Sequence, residues 1–178
     1  MIYNSEKHEL SLKMGLDLAY ELRNEKEIPV FMCVGSDRVV GDALAPIVSE
    51  YLIKKFKVNA FVYGTLSNPI NSKNVESAYE YIKLKHPNSK IIVVDATLSY
   101  SQEMFCVKMQ NCGVIPAGFF NKKLKIMGDI SLIGVVGNVG MKDYNFINNI
   151  GINSILKMAY FMAQSINFAL KFAKQLSS

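Results

Sequence analysis

The sequence predicts an α/β fold in which helices cover both faces of a mostly parallel, mixed sheet. A first helical pattern is followed twice by a strand and a helix, and then by a third strand, which is the order typical of a doubly covered parallel sheet. The chain has 178 residues, of which 50% are hydrophobic and 20% are charged. This composition suits one globular domain over residues 1–178 with a sizeable core.

The amino-terminal half supplies the alternating helices and strands. Leucine and methionine recur every four residues from Leu10 onwards and predict a helix that ends near Asn24. The next predicted elements are strands over 28–34, 58–63 and 90–95 and helices over 44–56 and 73–85, the last with Ser72 as a candidate N-cap. Right-handed crossovers allow the 28–34 strand to lie between the other two strands.

The carboxy-terminal half departs from this alternation. Residues 103–110 and 130–136 look like strands joined by turns at Gly113 and Gly118 without a helix between them, so the sheet is expected to become mixed. A long helix over about 153–176 is apolar on two faces. The second apolar face predicts either packing under residues 145–151 or a contact within a homo-oligomer.

Charge and cysteine usage limit the classes of partner and compartment. The net charge of +5 is spread over short lysine clusters at 54–57 and 122–125, which are typical of solvated faces, so we expect no nucleic-acid partner. No apolar run reaches the roughly 20 residues that span a bilayer, and the amino terminus lacks a signal-peptide pattern. Three cysteines, with Cys33 inside a predicted buried strand, argue against a disulfide framework. We therefore expect a cytoplasmic protein without a membrane partner.

Cofactor-binding patterns are weak in this chain. The glycines at 35 and 41 form no G-x-G-x-x-G, and no P-loop run exists. Neither histidine lies near the strand ends, and no C-x-x-C pair is present, so the sequence gives no zinc pattern. We expect neither a cofactor nor a metal.

The most informative segment is the loop that follows the 28–34 strand. It carries Asp42, and Asp95 is expected to close the 90–95 strand. In open α/β sheets ligands bind outside the carboxyl ends of the strands, and neighbouring strands lie about 4.8 Å apart, so the two carboxylates can come close together. Two such acids share a proton, and one can activate water while the other protonates a leaving group. The pattern indicates a hydrolase that needs no serine, cysteine or metal.

Each polar residue of this loop also has a structural interpretation. Asp42 precedes a predicted helix with Pro46 in its first turn, and from spacing alone an N-cap role is favoured. Asp37 fits an Asx-type turn. Arg38 either pairs with Asp37 or orients a carboxylate or a substrate carbonyl.

Four segments of the chain resemble the YyaC-like sporulation proteins, which are grouped with spore proteases. The segments are CVGSDRVVGDALAP at 33–46, VYGTL at 62–66 with Pro69, VDATL at 94–98, and GD at 128–129 with GVVGNV at 134–139. That family is similar to the germination protease of small acid-soluble spore proteins and, more distantly, to hydrogenase maturation proteases. The resemblance implies a three-layer α/β/α, phosphorylase/hydrolase-like fold.

The resemblance also implies catalytic roles, because Asp42 and Asp95 match the two catalytic aspartates of the germination protease. We therefore expect an endopeptidase of the sporulating cell or spore interior that acts on a protein or peptide, such as a small spore protein. Substrate-binding positions would be Gly35, Ser36, Asp37 and Arg38 in the loop, with Thr65 and Asn138 lining the cleft. The alternative is a sporulation binding protein that keeps the protease fold but does not cleave.

Two positions depart from the related proteins, and one of their residues has no counterpart. Ala45 stands where the family usually has glycine, and Thr97 stands where cysteine is common, and both changes bear on substrate fit near the loop. The nickel-reading histidine of the hydrogenase maturation proteases has no counterpart in this sequence. No metal is therefore carried over from the resemblance.

Overall fold

A computed structural model of the chain describes residues 1–116, 125–138 and 150–176. The strands are β1 Ile2–Asn4, β2 Val30–Cys33, β3 Phe61–Tyr63, β4 Ile91–Ser99, β5 Cys106–Gln110 and β6 Ile130–Asn138. The helices are α1 Leu10–Leu22, α2 Leu44–Glu50, α3 Val75–Lys85 and α4 Ile152–Leu176. A 3-10 turn over Gly41–Ala43 precedes α2, a π-helical turn over Tyr51–Lys55 follows it, and a second 3-10 turn covers Ser101–Glu103.

The six strands form one sheet in the order β1-β5-β6-β4-β2-β3. β2 pairs in parallel with both β3 and β4, and β4 pairs in parallel with β6. β5 runs antiparallel to β6 and to β1. The predicted central position of β2 and the predicted mixed sheet are therefore confirmed.

The helices cover the two faces of the sheet unequally. α1, α2 and α4 pack on one face, where Ile92 and Val94 of β4 join their core. α3 packs on the opposite face, where Ile91 and Val93 contribute to a smaller core with Ile82. Successive strand residues point to opposite faces, so both cores draw on the same apolar strand. The architecture is the expected three-layer α/β/α arrangement.

Three local predictions were wrong. β1 was not predicted, because a three-residue strand carries no readable alternation and depends on its pairing with β5. Asp95 does not close β4, which continues to Ser99 because Ala96 and the residues after it pair with β6. The N-cap of α3 is Asn74 rather than Ser72, and it makes no side-chain capping bond.

Two further boundaries shift within the described residues. β5 begins at Cys106 rather than at 103, because residues 101–103 form a 3-10 turn and Phe105 has a positive φ of 60°. The helix predicted over 44–56 is divided into α2 and the π-helical turn. Gly118 and the lysines at 122 and 123 lie outside the described residues.

The two apolar faces of α4 are explained by its neighbours. One face lies on the sheet and α2, while the other packs against α1. A Cβ at Gly15 of α1 would lie 2.7 Å from the Cβ of Phe168 and 2.9 Å from the carbonyl oxygen of Ser165. The absence of a side chain at Gly15 therefore permits the close approach of the two helices. Residues 145–149 of the predicted contact lie outside the described part of the chain.

No helix in the described ranges has the length and apolar character required to cross a bilayer. Cys33 and Cys106 are buried free thiols, and Cys112 is exposed and also free. The two buried cysteines behave as small core residues, as the sequence indicated.

Candidate active site

The loop after β2 is built around a glycine that no other residue can replace without strain. Gly35 has a φ of +148°, and a Cβ at this position would lie only 2.0 Å from the carbonyl oxygen of Asp42. Its N–H donates a hydrogen bond of 2.7 Å to the carbonyl of Ile70. The backbone of Asp42 therefore rests directly against the turn in which β2 ends.

The Asp42 side chain lies in the 3-10 turn and is held by a serine. Its Oδ2 accepts a hydrogen bond of 2.9 Å from the Ser36 hydroxyl. The N-cap positions of the 3-10 turn and of α2 are Val40 and Ala43, and neither helix receives a side-chain capping bond. The N-cap interpretation of Asp42 is therefore wrong, because its carboxylate is directed to Ser36 instead of the helix amides.

Partial burial shifts the pKa of the Asp42 carboxyl. Desolvation raises the pKa of this carboxyl above its ordinary value, and the hydrogen bonds from the hydroxyl and the backbone of Ser36 lower it in part. A carboxylate with a raised pKa is a stronger proton acceptor than an exposed aspartate. Asp42 thus has the character expected of a general base.

A cavity of about 230 Å³ opens in front of Asp42. It is bounded by the loop after β2 and by the segment that leads into α3, and its lining consists of Val34, Gly35, Ser36, Arg38, Val39, Asp42, Asn71, Ser72 and Lys73. Arg38 and Lys73 bring two positive charges to a space that holds one carboxylate. Four of the residues predicted for the site, those at 35, 36, 38 and 42, are brought together here.

Asp37 lies in the same loop but is exposed and is not part of the cavity lining. No ion pair joins it to Arg38, although both side chains are described. The predicted pairing of these two residues is therefore absent, and Arg38 is directed to the cavity instead.

Asp95 occupies the neighbouring strand and is only 7% exposed. By strand alternation its side chain lies on the α3 face, between Val34 and Ile133 on the adjacent strands. Its Oδ1 accepts a hydrogen bond of 2.8 Å from the N–H of Ala96. Asp95 does not line the cavity, but Val34, which lies beside it, does.

The start of α2 lies near the part of β4 that contains Asp95. The Gly41–Ala43 turn approaches β4 to within 8 Å between Cα atoms. Leu44 packs over Gly134, where an added Cβ would lie 2.2 Å from Leu44 Cδ2, and Gly134 pairs with Ala96. The turn that carries Asp42 therefore lies near the strand that carries Asp95, and the joint catalytic role of the two acids stays a prediction.

The two remaining predicted residues lie farther from the cavity. The Thr65 hydroxyl makes its hydrogen bonds within its own turn. It lies 3.2 Å from the Ser67 hydroxyl, and it accepts a hydrogen bond of 3.1 Å from the Asn68 N–H. Asn138 pairs with Ser99, four residues beyond Asp95, or roughly 13 Å at about 3.3 Å per residue. Their roles in lining a cleft stay predictions.

Sequence reasoning missed the segment Asn71, Ser72 and Lys73. These residues precede α3 and follow β3, which is the neighbour of β2 in the sheet. The position was recoverable in principle, because every loop that leads from a parallel strand into its helix lies at the same sheet edge. In the described part of the chain, no cluster of three histidine, cysteine or carboxylate side chains could hold a metal ion.

Comparison with known proteins gives a family. The family described as "Protein of unknown function (DUF1256)" matches residues 2–165. The chain is 31% identical over 139 residues to "Uncharacterized protein YyaC" of Bacillus subtilis (strain 168), an alignment that covers 78% of this chain and 67% of that protein. No solved structure matches the chain. The likeness to YyaC-like proteins that was inferred from the four sequence segments is thereby confirmed, whereas the relationship to proteases stays a prediction. The chain belongs to the DUF1256 family of YyaC-like proteins.

Proposed function

We propose that this protein is an endopeptidase of sporulation or germination that acts inside the sporulating cell or spore. In this proposal Asp42 and Asp95 activate water for peptide-bond hydrolysis. The observation that carries the proposal is the position of Asp42, whose partly buried carboxylate borders a cavity that is also lined by Val34, the strand neighbour of the buried Asp95.

The two acids would divide the proton transfers between them. Ionised Asp42, oriented by Ser36, accepts a proton from the water whose oxygen attacks the carbonyl carbon of the substrate. The proposal gives Asp95 the role of general acid, which supplies a proton to the amide nitrogen as the C–N bond breaks. Arg38 at the cavity wall would stabilise the negative charge that develops on the carbonyl oxygen.

The size of the cavity supports a long substrate that is only partly enclosed. Sites that enclose a drug-sized ligand measure about 300–1,000 Å³, which is larger than the 230 Å³ found here. The cavity therefore suits one side chain of a peptide whose remainder lies along the surface. A peptide substrate meets this description better than a small molecule.

The experiment compares Asp42→Asn and Asp95→Asn with wild type in hydrolysis of unfolded casein and of a small acid-soluble spore protein. We expect each substitution to lower kcat/KM by about 100-fold or more, the size of a typical acid–base contribution. Asp37→Asn is the matched control, because Asp37 lies in the same loop but outside the cavity. Undiminished hydrolysis by Asp42→Asn or Asp95→Asn would refute the proposal.

One observation favours a second function, a binding protein that keeps the fold without cleaving. Asp95 does not line the cavity, and its Oδ1 is bonded to Ala96 in its own strand. Under this alternative the wild type hydrolyses neither protein but retains a spore protein in a pull-down. Loss of that retention in Arg38→Ala, with the fold intact by circular dichroism, would identify the cavity as the binding site.

A further inference from the structure

We infer that an extended peptide binds along the free edge of β4, from Ala96 to Ser99, in the line that β2 leaves vacant. The inference deepens the proposed function, on which it rests for the peptide nature of the ligand. It concerns the mode of binding, which the positions of Asp42 and Asp95 do not determine.

The free edge results from the unequal lengths of two neighbouring strands. β2 pairs with β4 only as far as Cys33 opposite Val94, and the N–H of Val34 makes the last hydrogen bond, 2.8 Å to the carbonyl of Val94. β4 continues to Ser99 and stays paired with β6, with a register shift between Thr97 and Leu98 at which the pairing passes over Val136 of β6. On its other side, no described strand lies opposite residues 96–99.

Strand alternation determines which backbone N–H and C=O groups of β4 point toward the side of β2. Since the carbonyl of Val94 faces β2, the N–H and C=O groups of Ala96 and Leu98 face the same way. The recorded bonds on this side are local: the Ala96 N–H donates to Asp95, and the Leu98 carbonyl accepts from the Thr97 hydroxyl at 3.3 Å. Among residues 1–116, 125–138 and 150–176, no backbone group is bonded to the Ala96 carbonyl or the Leu98 N–H on this side, and both are oriented to receive a strand.

β2 does not continue along this side of β4, because its backbone turns away at Gly35. The line of β2 ends on Val34 and Gly35, both of which line the Asp42 cavity. A peptide that continued this line would lie about 4.8 Å from β4, as neighbouring strands do. It would pass the cavity with alternate side chains directed to the two faces of the sheet.

The resulting hydrogen bonds are specific. In a parallel pairing, one peptide residue donates its N–H to the Ala96 carbonyl and accepts the Leu98 N–H at its own carbonyl. Residues 96–99 are each partly exposed, so the edge can be reached from solvent. Strand addition of this kind draws affinity from main-chain bonds and selectivity from alternate side chains.

The test uses the full chain carrying Asp42→Asn, so that bound peptide is not cleaved. Dodecapeptides are selected on this variant from a random phage-displayed library, resynthesised, and methylated at one backbone nitrogen at a time. We expect methylation to weaken binding about tenfold at alternate residues, which is the effect of one lost hydrogen bond, and less than about twofold at the residues between them. Hydrogen exchange of the Leu98 amide, measured by NMR, should slow by about tenfold or more in the complex.

The inference is overturned if methylation has no alternating effect, if exchange at Leu98 is unchanged in the complex, or if the library yields no binder. Its failure differs from failure of the proposed function. A peptide that binds with the alternating pattern but is not cleaved by the wild type refutes the peptidase and leaves strand addition standing. Cleavage without the alternating pattern gives the opposite result.

Discussion

β2 and β4 are adjacent parallel strands, yet β2 ends early in a turn whereas β4 continues for several residues beyond it. β2 ends at Cys33 and turns at Gly35, so its acid, Asp42, stands in a turn beside a cavity. β4 runs on, so its acid, Asp95, stays inside a strand and is 7% exposed. The path of the backbone, and not the type of side chain, gives one aspartate access to solvent and a serine partner and keeps the other buried.

The largest expected effect comes from closing the space at the turn of β2. Gly35→Ala would place a Cβ 2.0 Å from the carbonyl oxygen of Asp42, a backbone atom that cannot move freely. The φ of +148° adds strain, because residues with a side chain rarely adopt it. We expect a loss of roughly 2–4 kcal/mol in the free energy of unfolding, measured by urea denaturation. The cavity should be lost together with stability.

Gly151→Ala is the control for this substitution, because no atom lies within 4 Å of the added Cβ. The control should change stability by no more than about 0.5 kcal/mol. Equal stability of the two alanine variants would show that the contact between Gly35 and Asp42 does not fix the turn.

A smaller loss of stability is expected from a substitution beside β4, at Gly134 of β6. Gly134→Ala would bring a Cβ to 2.2 Å from Leu44 Cδ2 and 2.9 Å from Met158 Sδ, which are ends of flexible side chains. We expect about 1–3 kcal/mol of destabilisation by urea denaturation. Adding Leu44→Val to Gly134→Ala should recover part of this loss. The double variant should then be more stable than the sum of the two single effects predicts. Strict additivity would indicate that Leu44 does not set the position of α2 over β6.

The Ser36 hydroxyl should shift the titration of Asp42 without unfolding the protein. Ser36→Ala removes a hydrogen bond that lowers the pKa of this carboxyl, so the pKa should rise further above its ordinary value. Carboxyl-detected NMR titration of the full chain measures the change. Ser36→Thr keeps the hydroxyl and should restore the wild-type pKa, and an unchanged pKa in Ser36→Ala would exclude the contact.

The smallest expected effect is a gain in stability at the proposed catalytic residue. The pKa of Asp42 in the folded protein lies above its ordinary value of 3.8. Between these two values the folded state binds more protons than the unfolded state, so the contribution of Asp42 to stability falls as the pH rises. Asp42→Asn removes this penalty and should stabilise the protein at pH 7 by less than about 1 kcal/mol. The gain should vanish below pH 3.8 in parallel urea titrations, and a loss at pH 7 would contradict the sign.

The sequence could predict the position of β2 between β3 and β4 because that position depends on local signals, whereas the roles of the site residues stay predictions. β2 and the first part of β4 are continuous apolar runs, and parallel strands separated by helices bring their carboxyl ends to one edge. The extension of β4 was not predictable, since Thr97 and Ser99 interrupt its apolar run and only pairing with β6 keeps them extended. The side chains that line the cavity opposite Asp42 come from 71–73, about thirty residues away in sequence, and no local pattern links them.

The first twenty-two residues are part of the folded core, and this restricts how the protein could be matured. β1 forms the outer strand beside β5, Met14 and Leu18 of α1 are fully buried, and Gly15 holds α1 against α4. A processing cut that released this segment would uncover the apolar side of α4 and strip β5 of its neighbour. Removal of residues 1–22 is therefore expected to destabilise the fold.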